Sequence, residues 1–236
     1  MKKNINRKNQ LYFDFGRDYE ADLDNFYFSS KNKILKSELL DLLGGSVQQR
    51  IFITAFEEGG KTFLLNSLLN YKKISNLQSI YIDVSTLKSK ENYLEGLSSF
   101  DLVCLDNVDK ATDALEVEIF NLINECKLTR TNLIVASGKN PNDLNYLPDL
   151  ISRLNEFKRF NINEINDIDV IDCIKFITKK LDLGFSDEVI EFISLRIRRD
   201  FISIKSTIQD FDRFLYSEKK QPTKMSAATF LKSYLI

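Results

Sequence analysis

The pattern of hydrophobic positions divides the chain into two parts. In the first part, short apolar runs alternate with segments whose apolar residues recur at helical spacing. The runs lie at residues 50–55, 79–84, 101–105, 132–136 and 157–162. DLVCL, the third of these runs, is almost continuously apolar, as expected for a parallel strand that is buried on both faces. Strands that alternate with helices predict an α/β fold, a five-stranded parallel sheet between two layers of helices (an αβα sandwich).

Helical spacing of apolar residues predicts the remaining elements. Between the strands, helices are expected at 32–43, 61–71, 87–97 and 115–126, with another over LPDLISRL. After residue 163 the strand signals stop, and the predicted helices lie at 165–181, 186–197, 202–216 and 226–235. We therefore expect an N-terminal tail at 1–22, an αβα domain at 23–163 and a small helical lid domain at 164–236.

Composition excludes several classes of enzyme. The 236 residues include no histidine, which removes Ser-His-Asp and Cys-His catalysis and every His-ligated metal site. Cys104, Cys126 and Cys173 form no CxxC pair, so neither a zinc site nor a redox motif is expected. A net charge of −1 gives no bulk attraction to nucleic acid. With no long apolar run and no signal peptide, the sequence predicts a cytoplasmic protein without membrane contact.

The stretch ITAFEEGGKTFLL predicts a phosphate-binding loop between a strand and a helix. Gly60, Lys61 and Thr62 fill the second half of the pattern G-x-x-x-x-G-K-[ST], whereas Ala55 stands at its first glycine. Gly59 and Gly60 permit close approach of the backbone to phosphate, and the N-terminus of the following helix attracts an anion. Lys61 is expected to bind the β- and γ-phosphates, and Thr62 to ligate Mg²⁺. The alternative is a glycine turn followed by a surface lysine.

An acidic residue at the end of the third strand supports the same site. Asp106 in DLVCLDN directly follows the apolar run and is expected at the carboxyl edge of the sheet, where α/β proteins bind ligands. Together with Thr62 it would hold the Mg²⁺ of bound ADP or ATP. The alternative is an aspartate that ends a strand in a turn. The next residue is Asn107, and because an amide cannot accept a proton, unaided hydrolysis is expected to be slow.

The order of these motifs resembles the AAA+ domain of the DnaA family of bacterial replication proteins. The resemblance rests on Asn25-Phe26, GGKT, LVCLDN, NLIVASGKNPNDL and LPDLISRL, and extends over residues 10–236. LDN at 105–107 and QLYFDF near the N-terminus are similar to the Hda branch of the family, whose members switch the initiator off. The chain ends after the predicted lid, so the initiator's DNA-binding domain is expected to be absent.

The resemblance implies further site residues. Ser137 stands at the position called sensor 1, which belongs to the nucleotide site. Arg153 in LISRL matches the arginine finger, which acts in trans on the nucleotide of a neighbouring subunit; the alternative is a surface or salt-bridged arginine. The family also places an arginine on the lid, where this chain has Ile202. Arg198 and Arg199 lie nearby as candidates to replace it.

The N-terminal segment is similar to peptides that bind the DNA polymerase sliding clamp. In QLYFDF, the glutamine and the apolar anchors would be Gln10, Leu11, Phe13 and Phe15. Such a peptide binds in extended form, with apolar side chains in a pocket. The alternative is that these aromatic residues pack on the protein's own core.

The resemblance therefore implies a regulator of replication initiation. It would bind ADP or ATP with Mg²⁺, dock on the sliding clamp and stimulate ATP hydrolysis by DnaA in trans, while hydrolysing little ATP alone. DNA would be contacted only indirectly, and a second copy of the chain is a further candidate partner. The main alternative is a self-sufficient AAA+ ATPase such as a clamp-loader or helicase-loader subunit. A DNA-binding fragment of an initiator is a third interpretation, which the net charge disfavours.

Overall fold

The strands of the computed structural model form one parallel sheet. The structure describes residues 18, 21–45, 48–55, 59–71, 77–87 and 92–234. The strands are β1 (Arg50–Ala55), β2 (Ser79–Asp83), β3 (Leu102–Asp106), β4 (Asn132–Ser137) and β5 (Lys158–Ile162). Their order in the sheet is β2-β3-β4-β1-β5, and each neighbouring pair is parallel. The predicted five-stranded parallel sheet is confirmed.

The central strands are apolar on both faces because each face is covered by helices. Alternate residues of a strand point to opposite faces of the sheet. Ile51 and Ile53 of β1 belong to one buried cluster, whereas Phe52 between them belongs to the other. β3 follows the same rule, since Cys104 packs with the first cluster and Val103 with the second. This arrangement explains the continuous apolar runs in the sequence.

Helices occupy both faces of the sheet and the whole C-terminal part. Those in the sheet domain are α1 (Lys33–Leu43), α2 (Lys61–Asn70), α3 (Asp113–Thr129) and α4 (Pro148–Asn155). The lid contains α5 (Asp167–Lys180), α6 (Asp187–Ser194), α7 (Phe201–Ser217) and α8 (Lys224–Tyr234). All eight were expected from the sequence, with ends that differ by a few residues. In the part of the chain that is described, no helix is long and apolar enough to cross a membrane.

The helix predicted at 87–97 is wrong where the structure describes it. Residues 93–96 form a turn, and a short 3-10 turn follows at Leu97–Ser99. Gly96 adopts a left-handed backbone (φ 77°), and the Leu94 N–H donates to the Glu118 carboxylate (3.3 Å) rather than along a helix. Leu94 and Leu97 are buried against the cluster that includes α3. Their spacing therefore reflects a turn packed on a neighbouring helix.

The lid contacts the sheet domain through aromatic side chains beside the phosphate loop. The ring centroids of Phe26 and Phe201 lie 4.9 Å apart, and those of Phe63 and Phe201 lie 5.9 Å apart. Phe201 begins α7, and Phe63 lies in the first turn of α2. Asp200 caps α7 by accepting a hydrogen bond from the Ser203 N–H (2.7 Å). The first turn of α7 is therefore fixed next to the loop.

Candidate phosphate-binding site

A left-handed glycine ends the phosphate loop and begins α2. Gly60 has φ 88° and ψ 15°, and its carbonyl accepts the first hydrogen bond of α2, from Leu64 (2.8 Å). A Cβ atom at this position would lie 3.0 Å from Cε2 of Phe26. Both the backbone and the packing therefore require glycine. The first N–H groups of α2 have no partners inside the helix, and they begin at this turn.

Lys61 closes the loop against the end of β1. Its side chain is buried, with 9% of the residue exposed, and its Nζ donates to the carbonyl oxygen of Ala55 (2.9 Å). Ala55 is a regular strand residue and is not among those with positive φ. The departure from glycine at position 55 is therefore tolerated by the backbone. The lysine ammonium group is therefore held between the end of β1 and the start of α2.

Asp106 is fully buried and accepts hydrogen bonds on both oxygens. Its Oδ2 accepts from the hydroxyl groups of Thr62 (2.5 Å) and Tyr81 (3.0 Å), and its Oδ1 accepts from the Asn107 N–H (2.8 Å). Burial raises the pKa of Asp106, and the hydrogen bonds from Thr62 and Tyr81 oppose that rise. Tyr81 did not emerge from the sequence as a site residue. Its only signal there is a polar-tipped aromatic residue inside the β2 run SIYID.

Thr62 and Asp106 have the oxygen donors that Mg²⁺ prefers. They are adjacent at the carboxyl edge of the sheet, in the arrangement expected for an ion that also binds phosphate oxygens and water. Within the described residues, no group of three or more acidic, histidine or cysteine side chains could hold a metal. The two donors therefore fit a magnesium ion that arrives with a nucleotide and do not form a complete protein cage.

The loop opens into a cleft of about 470 Å³, within the size range of small-molecule sites. Its walls are Asp18, Gly59, Gly60, Lys61, Thr62, Phe63, Asn107, Lys110 and Ile202. Four of the predicted site residues, 59 to 62, are thus brought together, and Asp106 is bonded directly to Thr62. No sequence pattern pointed to Asp18 or Lys110, because their positions on the cleft wall depend on which segments meet at this edge.

Asn107 lines the cleft, and its side-chain amide is hydrogen-bonded to a neighbouring carboxylate. Its backbone is left-handed (φ 54°), and its Nδ2 donates to Oδ1 of Asp83 at the end of the neighbouring strand β2 (2.9 Å). The side chain is therefore held as a hydrogen-bond donor to a carboxylate. It offers no basic group to activate a water molecule.

The lid wall of the cleft is apolar at the position expected for an arginine. Ile202 lines the cleft, whereas Arg198 and Arg199 do not. Arg199 pairs with Asp167 (2.9 Å) and also donates to the Ser194 carbonyl, both within the lid. Nε of Arg198 lies 3.7 Å from a carboxylate oxygen of Asp200. Neither arginine therefore supplies a positive charge to the cleft wall at the position of Ile202.

Ser137 lies at the same edge of the sheet but not on the cleft wall. It ends β4, which lies between β1 and β3, and it is fully buried. Its Oγ accepts a hydrogen bond from the Lys139 N–H (2.9 Å). The hydroxyl group therefore shapes the loop that follows β4.

A second, much smaller cavity is lined in part by Gly59. Its volume is about 10 Å³, close to that of a single water probe. Phe26, Phe201 and the end of β5 contribute to its lining, together with Ser29. The Ser29 Oγ atom is buried and, among the described residues, has no hydrogen-bond partner. A buried hydroxyl group in this state requires a water molecule or the polar edge of a ligand.

Arg153 lies on α4, away from the cleft wall. Its Nη1 donates to Oε1 of Glu156 (2.8 Å), and its Cζ lies 5.9 Å from the centre of the Phe120 ring. Glu156 also pairs with Arg50 (3.2 Å) and Lys127 (3.4 Å). The hydrogen bond from Arg153, with smaller contributions from Arg50 and Lys127, lowers the pKa of Glu156 to about 2. The carboxylate is therefore ionised at any neutral pH.

The position of Arg50 locates this ion-pair group on the sheet. Arg50 begins β1, and the phosphate loop follows Ala55 at the other end of the same six-residue strand. At about 3.3 Å per residue, the two ends of β1 are about 17 Å apart. Arg153 is therefore grouped with the amino end of β1, whereas the cleft lies at the carboxyl end.

The predicted clamp-binding residues Gln10, Leu11, Phe13 and Phe15 lie outside the residues that the structure describes.

Solved structures with the same architecture show which fold this chain has. Domain III of DnaA from Thermotoga maritima matches with a TM-score of 0.79 and 18% identity, covering 94% of this chain and 98% of that chain. AMPPCP-bound DnaA from Aquifex aeolicus matches with a TM-score of 0.72 and 23% identity, covering 83% of this chain and 66% of that chain. The chain therefore has the AAA+ fold of DnaA.

The family follows from a sequence relative. An uncharacterized protein of Haemophilus influenzae is 30% identical over an aligned length of 204 residues, and the alignment covers 82% of this chain and 86% of the relative. No family model matches the chain. The chain belongs to the same family as the Haemophilus protein.

Proposed function

We propose that this chain is an adenine-nucleotide-binding regulator of DNA replication initiation. It binds ADP or ATP with Mg²⁺ at the phosphate loop, docks on the DNA polymerase sliding clamp and stimulates ATP hydrolysis by DnaA in trans. This is the role of the Hda branch of the DnaA family, which the sequence motifs resemble.

The nucleotide part of the proposal is supported by the convergence at the phosphate loop. A left-handed glycine, a buried lysine and the Thr62–Asp106 pair meet at the start of α2. A helix N-terminus with such side chains binds phosphate. The AMPPCP bound to the similar DnaA structure supports an adenine nucleotide as the ligand.

The observation that carries the regulatory part is the separation between Arg153 and the cleft. Arg153 is grouped with the amino end of β1, about 17 Å from the loop end of that strand, and its side chain is partly exposed. The chain's own cleft has Asn107 and Ile202 in place of an acid and a cation. An arginine in this position serves a nucleotide on another protein, where it stabilises charge that develops on the transferred phosphoryl group.

The proposal is tested with Arg153→Ala and phosphate release from ATP-bound DnaA in the presence of DNA-loaded clamp. Stimulation should fall by a factor of about 10³ or more, since an arginine supplied in trans contributes about 10³ to 10⁵ in comparable enzymes. Arg153→Lys should not restore it, because an ammonium group lacks the planar fork of guanidinium. Arg159→Ala removes another exposed arginine, on β5, and should leave stimulation unchanged. Full stimulation by Arg153→Ala would refute the mechanism.

Clamp docking is a separate part of the proposal and is tested by pull-down. Changing Gln10 and Leu11 to alanine should abolish binding to the sliding clamp, because these residues supply the amide and the first apolar anchor. Nucleotide binding should be unaffected. Equal clamp binding by the double variant and the wild type would instead favour packing of QLYFDF on the protein's own core.

A further inference from the structure

Three cationic side chains converge on one carboxylate at the amino end of β1. Arg50 comes from β1, Lys127 from α3 and Arg153 from α4. Their nitrogen atoms lie 3.2, 3.4 and 2.8 Å from the oxygens of Glu156, respectively. We call these four residues the basic cluster. Three positive charges face a single negative charge, so the cluster keeps an excess of positive charge.

Solvent reaches every member of the basic cluster. The exposed fractions of the side chains are 23% for Arg50, 50% for Lys127, 36% for Arg153 and 33% for Glu156. Ion pairs with this exposure are individually weak, typically about 0–1 kcal/mol. An anion with more charge than a carboxylate therefore competes effectively with Glu156.

Aromatic rings help to orient the two guanidinium groups without neutralising them. The Cζ atom of Arg50 lies 5.9 Å from the centre of the Phe157 ring, and that of Arg153 lies 5.9 Å from the centre of the Phe120 ring. Cation–π contacts of this kind restrict the side chains and leave their N–H groups available to oxygen acceptors. The cations are therefore partly preorganised around the position of the Glu156 carboxylate.

We propose that Arg50, Lys127 and Arg153 act together as a binding site for a terminal phosphoryl group, and that Glu156 occupies this site when no phosphoryl group is present. That the phosphoryl group belongs to a nucleotide on another protein rests on the proposed function. A terminal phosphoryl group presents three acceptor oxygens, which share a charge of about −1.5 to −2, to three cationic donors, whereas the carboxylate presents two oxygens that share a single charge. Charge-assisted hydrogen bonds from arginine favour such oxygens. Glu156 is thus an internal competitor that must leave before Arg153 acts.

The anion site is tested without any partner protein, using inorganic tripolyphosphate and calorimetry. The background carries Lys61→Ala to weaken the phosphate loop. Adding Glu156→Gln removes the competing charge and should tighten tripolyphosphate binding about threefold to tenfold, as expected for the loss of several weak ion pairs. Adding Lys127→Met to that variant should abolish the gain.

A neighbouring ion pair provides the matched control. Lys158 on β5 pairs with Glu38 of α1 (2.7 Å), and both side chains are partly exposed. Glu38→Gln releases a cation from an exposed pair outside the basic cluster and should not change the affinity for tripolyphosphate. Thermal melts establish that each variant is folded. No gain for Glu156→Gln, or an equal gain for Glu38→Gln, would overturn the inference.

The DnaA assay separates this inference from the proposed function. At limiting protein concentration, Glu156→Gln should increase stimulation of DnaA and Lys127→Met should decrease it, each by about threefold to tenfold. Arg153-dependent stimulation that neither change alters would refute the basic cluster and leave the proposed function intact. Tighter tripolyphosphate binding without any DnaA stimulation would support the cluster and refute the proposed function.

Discussion

Burial of Asp106 suits this residue to a bound cation but destabilises its ionised form in the absence of one. Its carboxylate is fully buried and accepts hydrogen bonds from Thr62, Tyr81 and the Asn107 backbone. Burial nevertheless raises its pKa, because removal from water penalises the charged form more than these bonds favour it. A magnesium ion that binds with nucleotide would supply the missing positive charge.

The raised pKa of Asp106 predicts how stability depends on pH in the metal-free protein. The folded state binds the proton more tightly than the unfolded state, so the contribution of this group to stability is present at low pH and is lost as pH rises through the folded pKa. Asp106→Asn cannot ionise and loses nothing in this range. The unfolding free energy of the variant minus that of the wild type should therefore increase from about pH 4 towards pH 7.

Denaturant titrations at several pH values measure this difference. Since Asp106→Asn also removes a charged oxygen donor for Mg²⁺, the ion should no longer add to the thermal shift caused by ADP. A difference in unfolding free energy that stays constant with pH would show that the Asp106 carboxylate is not destabilised by burial.

At the scale of elements, the sequence predicted what depends on periodicity and missed what depends on distant contacts. The continuous apolar run of β3 predicted a buried parallel strand, and GGKT predicted the start of α2. By contrast, the Tyr81–Asp106 bond joins two strands, and the Arg50–Glu156 pair joins residues 106 positions apart. Such pairings depend on strand order and on the ends of helices, which local patterns do not encode.

The failed helix at 87–97 has a related cause. Leu94 and Leu97 have helical spacing, but tertiary packing on α3 accounts for that spacing. Gly96 then fixes a left-handed turn between them. The apolar pattern correctly predicted that Leu94 and Leu97 are buried. It did not predict the turn, which depends on the left-handed backbone of Gly96.

The first turn of α7 is the element-scale link between the lid and the phosphate loop. Phe201 is buried and packs against Phe26 and Phe63. Phe201→Ala should lower the unfolding free energy by about 3 kcal/mol, as large-to-small changes at buried aromatic residues do. The thermal shift caused by ADP should also decrease, since Phe63 lines the cleft and loses one of its two lid contacts, keeping that with Lys205 of α7 (4.2 Å from Nζ to the ring centre).

Tyr216 on the same helix provides the control for this prediction. It is 88% exposed near the far end of α7, so Tyr216→Ala should change stability by no more than about 0.5 kcal/mol and leave the ADP shift unchanged. Both variants are compared by urea denaturation and by thermal melts with ADP. Equal costs for the two substitutions would show that the aromatic contact does not join lid and sheet.

At the scale of the whole molecule, the two ends of β1 carry different chemistry. The carboxyl end leads to the phosphate loop and the cleft, and the amino end carries the basic cluster. Under the proposed function, the protein would hold its own nucleotide at one end of β1 and act on another protein's nucleotide at the other. The positive charge of the basic cluster is local, because the net charge of the whole chain is −1. The molecule therefore has no bulk electrostatic attraction to DNA.

This division predicts very slow ATP turnover by the protein alone. The amide of Asn107 donates to Asp83 and offers no basic group, and Ile202 places no charge on the lid side of the cleft. Phosphate release from ATP by the purified protein should therefore stay well below about 1 s⁻¹, the lower end of ordinary enzyme turnover. Adding DnaA and DNA-loaded clamp should raise the release of phosphate, and this increase should require Arg153.

The alternative of a self-sufficient ATPase makes the opposite prediction, because its turnover would depend on its own cleft. In that case Lys61→Ala would abolish phosphate release in the absence of DnaA. Asn107→Asp adds a sharper comparison. Asn107 now donates a hydrogen bond of 2.9 Å to Asp83. Asn107→Asp alone would therefore place two carboxylates side by side, and each would oppose ionisation of the other.

Combining Asn107→Asp with Asp83→Asn introduces an acid at position 107 without that repulsion. The double variant should therefore hydrolyse ATP faster than either single variant. Rapid turnover by the unmodified protein would refute the regulatory role and favour the ATPase.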